Sequence, residues 1–217
     1  MRDLVVQTFM TLDGVMQAPG GPEEDPTGGF EYGGWSVNAW DETMMETMSE
    51  AMQAPCEYLL GRKTYEIFAA HWPYADDPMA RKLNAATKYV ASNTLESAAW
   101  ENSIVIGGDL VSKIRGLKAE DGPEIQVNGS SDLIQTLAAA DLVNEYRVWI
   151  FPVVVGKGKR LFGDDIAAGS LELVDQKASS TGVLMLRYRR RGPVEIGSFA
   201  FEEPSEAEIR RRESLGG

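Results

Sequence analysis

Apolar and polar residues alternate along the chain with periods that predict a mixture of strands and helices. From residue 56 to residue 151, short β-branched or aromatic runs are followed by segments in which apolar residues recur every three or four positions. Because the connections are short, this order predicts right-handed βαβ crossovers and a largely parallel sheet, which is an α/β fold. The predicted strands are 56–60, 87–91, 103–106, 124–127 and 145–151, and the predicted helices are 62–70, 77–84, 109–118 and 132–140.

The N-terminal part of the chain contains a predicted strand, a long loop and a predicted helix. Residues 4–10 are strongly apolar and predict a buried strand. Residues 38–53 carry one apolar stripe at helical spacing, and Asn38 is the predicted N-cap. Residues 17–36 are rich in glycine and proline but include three aromatic residues. Because disordered linkers are poor in aromatic residues, we expect an ordered loop that covers a site.

The pattern changes near the C-terminus. Residues 171–178 and 183–188 are strand-like and flank a Ser-Ser-Thr-Gly turn, which predicts an antiparallel hairpin. Residues 192–217 form a charged tail, with a surface helix predicted over 205–213, so the predicted domain spans residues 1–191. Four arginines end the last predicted strand, and on an acidic chain we expect them to pair with carboxylates: Arg187, Arg189, Arg190 and Arg191.

Composition and charge narrow the classes of function. The chain has 217 residues, a net charge of −12 and a pI near 4.6, so its surface disfavours binding to nucleic acid and to anionic membranes. Cys56 and His71 are the single residues of their types, which excludes an internal disulfide and disfavours a zinc site. The N-terminal residues lack a signal-peptide pattern and no apolar run reaches membrane-spanning length, so we expect a cytoplasmic protein.

Small polar residues follow three of the predicted parallel strands. They are Gly-Arg-Lys-Thr at 61–64, Ser-Asn-Thr at 92–94 and Asn-Gly-Ser-Ser at 128–131. Strand carboxyl ends and helix N-termini are where α/β proteins bind anionic ligands, so together these segments predict a cradle for a dinucleotide. A 2′-phosphate would favour Arg62 and Ser92. Each segment alone is equally well explained as a turn with a helix cap, and the chain contains neither a GxGxxG nor a Walker A motif.

Five short motifs stand at a spacing that is typical of one known family. They are T-L-D-G at 11–14, L-G-R-K-T-Y-E at 60–66, G-S at 129–130, D-L-V-N-E at 141–145 and F-P-V-V-V-G-K-G-K-R-L-F at 151–162. As a set they resemble the dihydrofolate-reductase-like family, especially stand-alone proteins similar to the C-terminal reductase domain of the bifunctional riboflavin-biosynthesis deaminase-reductase. The resemblance covers residues 3–190. It implies a three-layer αβα sandwich around a mixed, mostly parallel sheet, with NADPH as the hydride donor.

The resemblance also implies where the cofactor binds. Residues 61–64 would hold the pyrophosphate and the adenosine phosphate, residues 92–93 the adenine-ribose end, and residues 129–131 the pyrophosphate at a helix start. Asp13 and Gly14 would lie beside the nicotinamide, and the long loop would cover the substrate. The predicted cofactor residues are Gly14, Gly61, Arg62, Lys63, Thr64, Ser92, Asn93, Asn128, Gly129, Ser130 and Ser131, and no metal site is predicted.

Four residues are candidates for catalysis or substrate contact. Asp13 could act as a general acid or accept a hydrogen bond from the substrate. Alternatively, it is only a turn residue in the Asp-Gly pair. Dihydrofolate reductases carry a carboxylate early in the first helix that helps to protonate the pterin. Asp41 is the nearest match for this carboxylate, although two nearby glutamates also fit it. Alternatively, Asp41 is only a charged residue that stabilises the first turn of the helix. Trp35 and Trp40 would stack on a ring, and for Trp40 the alternative is to fill the core.

These observations predict an NADPH-dependent reductase that transfers a hydride to a small polar heterocycle, pterin- or pyrimidine-like, or to a related carbonyl or imine. The alternative is a non-catalytic NADP(H)-binding or sensing protein on the same fold, because a fold does not determine a function. A third hypothesis is a structural or partner-binding protein with no cofactor. The resemblance implies a homodimer, and the expected partner is a small-molecule substrate, with no nucleic acid and no membrane.

Overall fold

A single mixed sheet forms the centre of the protein, and in the computed structural model it has eight strands among the described residues, 1–164 and 166–215. The strands are β1 Leu4–Thr11, β2 Cys56–Gly61, β3 Lys88–Ala91, β4 Ser103–Ile106, β5 Glu124–Val127, β6 Glu145–Phe151, β7 Ser170–Ala178 and β8 Leu184–Gly192. Their order across the sheet is β4-β3-β2-β5-β1-β6-β8-β7. Strands β1 to β6 pair in parallel, whereas β8 is antiparallel to both β6 and β7. The predicted sheet and C-terminal hairpin are confirmed.

Helices cover both faces of this sheet. They are α1 Glu42–Gln53, α2 Arg62–His71, α3 Pro78–Ala85, α4 Leu110–Ala119 and α5 Ser131–Ala139, and a further helix, α6 Glu206–Glu213, follows the last strand. One face packs against α4 and α5, and the other packs against α1, α2 and α3. The predicted three-layer αβα sandwich is therefore confirmed. Within the described residues, no helix combines the length and apolar character needed to cross a membrane.

Side-chain alternation along β1 shows how the sheet separates two cores. Leu4 and Val6 are fully buried against α4 and α5, together with Ile134 and Leu137 of α5. Phe9 points to the opposite face and packs near Trp149 and α1. Burying such a side chain stabilises the fold by about 1.5–3 kcal/mol, so both faces of β1 contribute to stability. A strand buried on two faces explains why residues 4–10 are continuously apolar apart from Gln7 and Thr8.

The first helix begins later than its sequence predicts. Asn38 lies in a 3-10 turn, Val37–Ala39, and Trp40 has an extended backbone with ψ 134°. Helix α1 starts at Glu42, and the Asp41 carboxylate caps it by accepting a hydrogen bond from the Met44 N–H at 3.0 Å. The prediction of Asn38 as N-cap is therefore wrong. The chain stays extended at Trp40 because its ring packs on the sheet, 5.6 Å from Phe9 between ring centroids.

The long loop between β1 and α1 is ordered by its own hydrogen bonds. The Gln17 Nε2 donates to the carbonyl oxygens of Asp25 and Thr27 at 2.8 and 2.9 Å. The Trp35 indole N–H donates to the Gln17 carbonyl at 2.8 Å, and Phe30 is buried. The prediction of an ordered loop is confirmed, and buried Gln17 is the residue that organises it.

The arginines at the end of β8 pair with carboxylates as expected. Arg187 and Arg189 bond to Glu145 of β6, and Arg190 bonds to Asp141 with an N–O distance of 2.5 Å. The prediction is confirmed for these three residues. Residues beyond β8 carry α6, whose residues are all exposed or partly exposed, and the division into a domain of residues 1–191 and a tail of residues 192–217 stays a prediction.

Replacing buried Lys88 with methionine is expected to lower the free energy of unfolding by about 2–4 kcal/mol. The Lys88 ammonium group donates to the carbonyl oxygens of Leu83, Asn84 and Ala86 at 2.7, 3.2 and 2.8 Å, and it lies 4.3 Å from the centre of the Trp100 ring. Methionine keeps the volume but leaves the last carbonyls of α3 without a donor. Urea denaturation measures the loss, and a change below about 0.5 kcal/mol, the size expected at an exposed site, would contradict this role.

Candidate functional site

A cleft of about 670 Å³ lies at the carboxyl ends of β1, β2 and β5. This is the edge at which open α/β sheets bind ligands, and the volume suits a cofactor or a small substrate. Three groups of residues line it: strand ends that open α2 and α5, a set of apolar side chains from α1, α2 and α3, and part of the long loop.

Two of the predicted strand ends are joined by direct hydrogen bonds. The Gly61 N–H donates to the Ser130 Oγ at 2.9 Å, and that hydroxyl donates to the Thr64 Oγ1 at 2.5 Å. A Cβ on Gly61 would lie 2.6 Å from the Ser130 Oγ, so this contact requires glycine. The end of β2 and the start of α5 thus form one rigid structure, which we call the strand-end cradle (residues 61–64 and 128–131).

The backbone before α5 has an uncommon conformation. Gly129 has φ 98° and Ser130 has φ 68°, so two successive residues adopt positive φ. A non-glycine residue in this region is strained, and such strain occurs most often at functional sites. Backbone N–H groups in concave turns at helix N-termini bind anions. The strand-end cradle lies at such a helix start, and its role in binding phosphate stays a prediction.

The third predicted strand end joins the other two through Arg62. The Arg62 Nη1 donates to the Thr94 Oγ1 at 2.6 Å, and the Thr94 N–H donates to the Ser92 Oγ at 3.2 Å. The Asn93 Oδ1 accepts from the Gly108 N–H at 2.7 Å. A second pocket of about 180 Å³ lies here, and it shares Ala91 and Leu110 with the main cleft: its lining is Ala91, Ser92, Asn93, Ile106, Gly108 and Leu110.

The cleft also contains an apolar slot between the helices of one face. Gln7 and Asn128 lie on its floor, and its other residues are Phe9, Met48, Phe68, Trp72, Met79 and Leu83. Sequence reasoning missed this slot, since the segment at Trp72 predicted only a helix end. The signals present were the polar residue Gln7 within an apolar strand and the pair Phe68 and Trp72, four residues apart on one helix face.

The long loop forms the outer wall of the cleft. Lys159, which follows β6, forms an ion pair with Asp25 and donates to the Thr27 Oγ1 at 3.0 Å, and these contacts fasten the loop. Glu24 lies beside them, and its Oε2 accepts from the Gly20 N–H at 2.6 Å. Glu24 lines the cleft, and burial raises the pKa of its carboxyl group above the ordinary value. Sequence reasoning did not single out Lys159 or Glu24.

Asp13 lies next to the cleft and fastens two segments together. Its carboxylate accepts hydrogen bonds from the Thr11 hydroxyl at 2.6 Å and from the N–H groups of Gly156 and Val155 at 2.8 and 3.3 Å. The Thr11 hydrogen bond and these backbone donors lower the pKa of Asp13, so it is ionised at neutral pH. Gly14 has φ 83° in the same turn. Neither residue lines the cleft, and their predicted roles beside the nicotinamide stay predictions.

Asp41, predicted to act in catalysis, and the two tryptophans predicted to contact substrate do not line the cleft. The Asp41 carboxylate accepts from the Met44 N–H and from both the N–H and the hydroxyl of Ser180, in the turn between β7 and β8. The Met44 N–H and then the Ser180 hydroxyl lower the pKa of Asp41. Trp40 packs 5.5 Å from Trp149, and Trp35 packs 5.2 Å from Phe151, measured between ring centroids. The structure brings residues 61–64 and 128–131 together in the cleft and places Ser92 and Asn93 in the smaller pocket beside it, whereas Gly14, Asp41, Trp35 and Trp40 lie outside both linings.

In the part of the chain that the structure describes, no group of three His, Cys, Asp or Glu side chains is placed to bind a metal ion. The nearest carboxylates to the cleft are Glu24, Asp25 and Asp132.

Comparison with known proteins identifies the family. A family model described as the RibD C-terminal domain matches residues 2–185. The chain belongs to this family. Among curated relatives of this RibD C-terminal domain, the uncharacterized protein YyaP of Bacillus subtilis is 27% identical over 196 residues, which covers 88% of this chain and 96% of YyaP. The uncharacterized protein YwjB of the same organism is 28% identical over 117 residues, which covers 52% of this chain and 62% of YwjB.

Solved structures share the fold of this RibD C-terminal domain. A Shewanella sp. PV-4 protein named for riboflavin biosynthesis has a TM-score of 0.60 at 20% identity, over 88% of this chain and 99% of its own. A pyrimidine reductase-like protein from Corynebacterium diphtheriae has a TM-score of 0.56 at 14% identity, over 88% and 92%. Dihydrofolate reductase from Enterococcus faecalis, in complex with NADP(H) and RAB-propyl, also has a TM-score of 0.56 at 14% identity, over 87% and 96%. At these identities the likeness shows a shared fold.

Proposed function

We propose that this protein is an NADPH-dependent reductase of a small polar heterocycle, pterin- or pyrimidine-like, or of a related carbonyl or imine. The observation that supports this most directly is the junction of two sites in one cleft. The strand-end cradle suits phosphates, and the apolar slot beside it suits a flat ring. A reductase needs both, because the hydride donor and the acceptor must lie in contact.

The residues present fit a phosphorylated dinucleotide. The N–H groups at residues 129–131 and the N-terminus of α2 would hold the pyrophosphate. Arg62 is half exposed, and it lies between Thr94 and Glu66, so its guanidinium can also reach a 2′-phosphate placed near Ser92. Within the described residues, Lys63 forms no ion pair with a carboxylate that would compete with a phosphate for its ammonium group. The smaller pocket at Asn93 would receive the adenine-ribose end.

NADPH, when bound, would supply the hydride. The protein residues bind and orient the ring in the slot, and the loop fastened by Lys159 and Asp25 limits the access of water. Asp13 is poorly suited to donate a proton, because its carboxylate is ionised and already accepts three hydrogen bonds. Glu24 lines the cleft and burial raises the pKa of its carboxyl group, so we assign to Glu24 the delivery of the proton.

The second candidate function is non-catalytic binding or sensing of NADP(H). It is favoured by one observation, which is that the carboxylates of Asp13 and Asp41 both bond to backbone N–H groups outside the cleft. Turnover of NADPH against a panel of pterins, pyrimidines and quinones separates the two, since binding without turnover would favour the sensor. A structural protein with no cofactor would show no rise in melting temperature with NADPH. The homodimer and the cytoplasmic location stay predictions.

Replacing Arg62 with alanine is expected to weaken NADPH binding about 10- to 100-fold and NADH binding less than about threefold. A charge-assisted hydrogen bond to a phosphate contributes about 1.5–3 kcal/mol, and only NADPH carries the 2′-phosphate. Calorimetric titration with both nucleotides measures this. Arg81→Ala is the matched control, since Arg81 is an exposed arginine paired with Asp76 outside the cleft. Equal losses for NADPH and NADH would remove the 2′-phosphate assignment.

A further inference from the structure

The strand β7 forms one edge of the sheet and has a neighbour on one side only. It is last in the order across the sheet, and among residues 1–164 and 166–215 it pairs with β8 alone. Every residue from Leu171 to Ala178 is exposed. The outer side of β7 therefore presents a row of backbone N–H and C=O groups that are free to pair with another strand.

The C-terminal tail contains an apolar segment that the rest of the chain leaves exposed. Ile196, Phe199 and Phe201 are each at least 85% exposed, and Val194 is 54% exposed. We call residues 194–201 the tail segment. Its sequence, V-E-I-G-S-F-A-F, has β-branched and aromatic residues, one charge and no proline, which is typical of a strand. It lies outside residues 2–185, the part of the chain that matches the family model.

The apolar positions of the tail segment have the same spacing as one face of β7. A bulge at Val174 interrupts the alternation of β7, because its register with β8 shifts at this point. Positions 171, 173, 176 and 178 pair with positions 190, 188, 186 and 184 of β8, and Leu186 and Tyr188 pack against the core under α4 and α5. These four positions of β7 therefore share that face. The apolar tail positions 194, 196, 199 and 201 repeat the same intervals of two, three and two residues.

The charges on the opposite face favour one direction of pairing. In an antiparallel arrangement with position 194 opposite position 178, the two sets coincide and Glu195 stands opposite Lys177. In the parallel arrangement that also makes them coincide, Glu195 stands beside Glu172. Opposite charges across strands stabilise a sheet, whereas like charges destabilise it. Lys177 bonds to Glu50 at 3.0 Å, but its ammonium group has three donor hydrogens and can bond to Glu195 as well.

The antiparallel arrangement requires a second copy of the chain. Gly192 lies beside Ser170 at the start of β7, and the Ser170 hydroxyl donates to the Pro193 carbonyl at 2.8 Å. Position 178 is eight residues further along β7, a distance of about 27 Å. The link from Gly192 to Val194 spans at most about 7 Å, so the tail segment of the same chain cannot begin at position 178.

We propose that the tail segment of a second copy adds to the free edge of β7 as an antiparallel strand, with position 194 opposite position 178. Phe199 and Phe201 then lie beside Leu173 and Leu171, which are exposed in the single chain. The contact pairs the free backbone groups of β7 and removes both phenylalanine rings from water. Each chain carries both parts, so the exchange forms twice in a closed dimer. The proposal does not depend on the proposed function, because neither part lines the cleft.

Sedimentation velocity measures the association. The wild type is expected to be a dimer at about 50 μM protein. The double variant Phe199→Ser with Phe201→Ser is expected to raise the dissociation constant at least about 100-fold, because both rings lose their burial in each of the two contacts. Tyr74→Ser is the matched control, since Tyr74 is an exposed aromatic residue outside both parts, and it should leave the dissociation constant unchanged.

Cysteine pairing measures the register. Gln176→Cys and Ile196→Cys are placed in separate chains, one of which carries a longer tag, and the mixture is oxidised. Opposite residues of antiparallel strands lie within the reach of a disulfide, so a mixed disulfide is expected. Phe199→Cys in place of Ile196→Cys is the control, because position 199 is three residues, about 10 Å, from position 196 and stands beside Gln176 only in the parallel arrangement. The native Cys56 is buried.

Several results would overturn the proposal. One is a wild type that is monomeric at this concentration. Another is a double variant that dimerises as tightly as the wild type, since a different face would then join the two copies. A higher yield of disulfide with Phe199→Cys than with Ile196→Cys excludes the antiparallel register. A disulfide that forms within one chain, when Gln176→Cys and Phe199→Cys are combined, places the tail segment on its own β7 and excludes the exchange.

Discussion

Replacing Gly61 with alanine is expected to weaken NADPH binding about 100-fold and to lower the free energy of unfolding by about 1–3 kcal/mol. The added Cβ would lie 2.6 Å from the Oγ and 2.8 Å from the Cβ of Ser130. Ser130 cannot move aside easily, because it has φ 68° and bonds to both Gly61 and Thr64. Relief of the clash must therefore separate the end of β2 from the start of α5, which opens the strand-end cradle. Calorimetric titration and urea denaturation measure the two effects.

Gly116→Ala is the matched control for this experiment. Gly116 lies within α4, and a Cβ there would meet no atom within 4 Å. The control should stabilise the protein by about 0.5–1 kcal/mol, because alanine is the better helix former, and it should leave NADPH binding unchanged. If Gly61→Ala keeps its NADPH affinity within about threefold of wild type, the close contact between Gly61 and Ser130 does not form the phosphate site.

Replacing Glu145 with glutamine is expected to cost about 3 kcal/mol of unfolding free energy at neutral pH. The Glu145 side chain is 2% exposed and bonds to three arginines, namely Arg147, Arg187 and Arg189. Removing its charge leaves these guanidinium groups without their shared partner in a partly buried cluster. This loss of unfolding free energy is at the lower end of the range for breaking a buried ion pair. The reason is that Arg187 and Arg189 are 41% and 54% exposed, so their guanidinium groups can turn towards water. Urea denaturation of both proteins measures the difference.

The effect of Glu145 should depend on pH in a defined direction. Burial alone would raise the pKa of Glu145, but hydrogen bonds and charge from Arg147 and Arg187 lower it below its ordinary value of 4.5. A lowered folded-state pKa stabilises the fold fully above pH 4.5, and the contribution is lost as the pH falls through the lowered pKa. The wild type and Glu145→Gln should therefore converge in stability on acidification.

Glu172→Gln is the control for the charge cluster. Glu172 is exposed on β7 of the same sheet, so its replacement should change stability by less than about 0.5 kcal/mol at any pH. A difference between wild type and Glu145→Gln that persists unchanged below the lowered pKa would show that packing, rather than charge, accounts for the effect.

The elements of the fold are largely predictable from the sequence because their signals are local. Three predicted strands, 103–106, 124–127 and 145–151, have the observed bounds. The order of strands and helices predicts a parallel sheet, and a parallel sheet brings its strand ends to one edge. The three polar segments at 61–64, 92–94 and 128–131 were recognised in this way, and their hydrogen bonds in the structure follow from that placement.

The uses of individual carboxylates depend on the tertiary structure. Asp13 bonds to the N–H of Gly156, and Asp41 bonds to Ser180, which are 143 and 139 residues away along the chain. No local pattern contains such partners. Asp41 is the N-cap in place of Asn38 because Trp40 packs on the sheet and keeps the chain extended before the helix.

The slot itself is also a product of the tertiary structure. Phe68 and Trp72 have the spacing of any amphipathic helix, and Gln7 is a single polar residue in an apolar strand. Their meaning comes from the pairing of β1 with β5, which places Gln7 beside Asn128, and from the packing of α1 and α2 around both. The sequence by itself thus determined the sheet, the order of the helices and the segments of the proposed phosphate site. The structure alone decided which side chains line the slot, because this depends on contacts between distant parts of the chain.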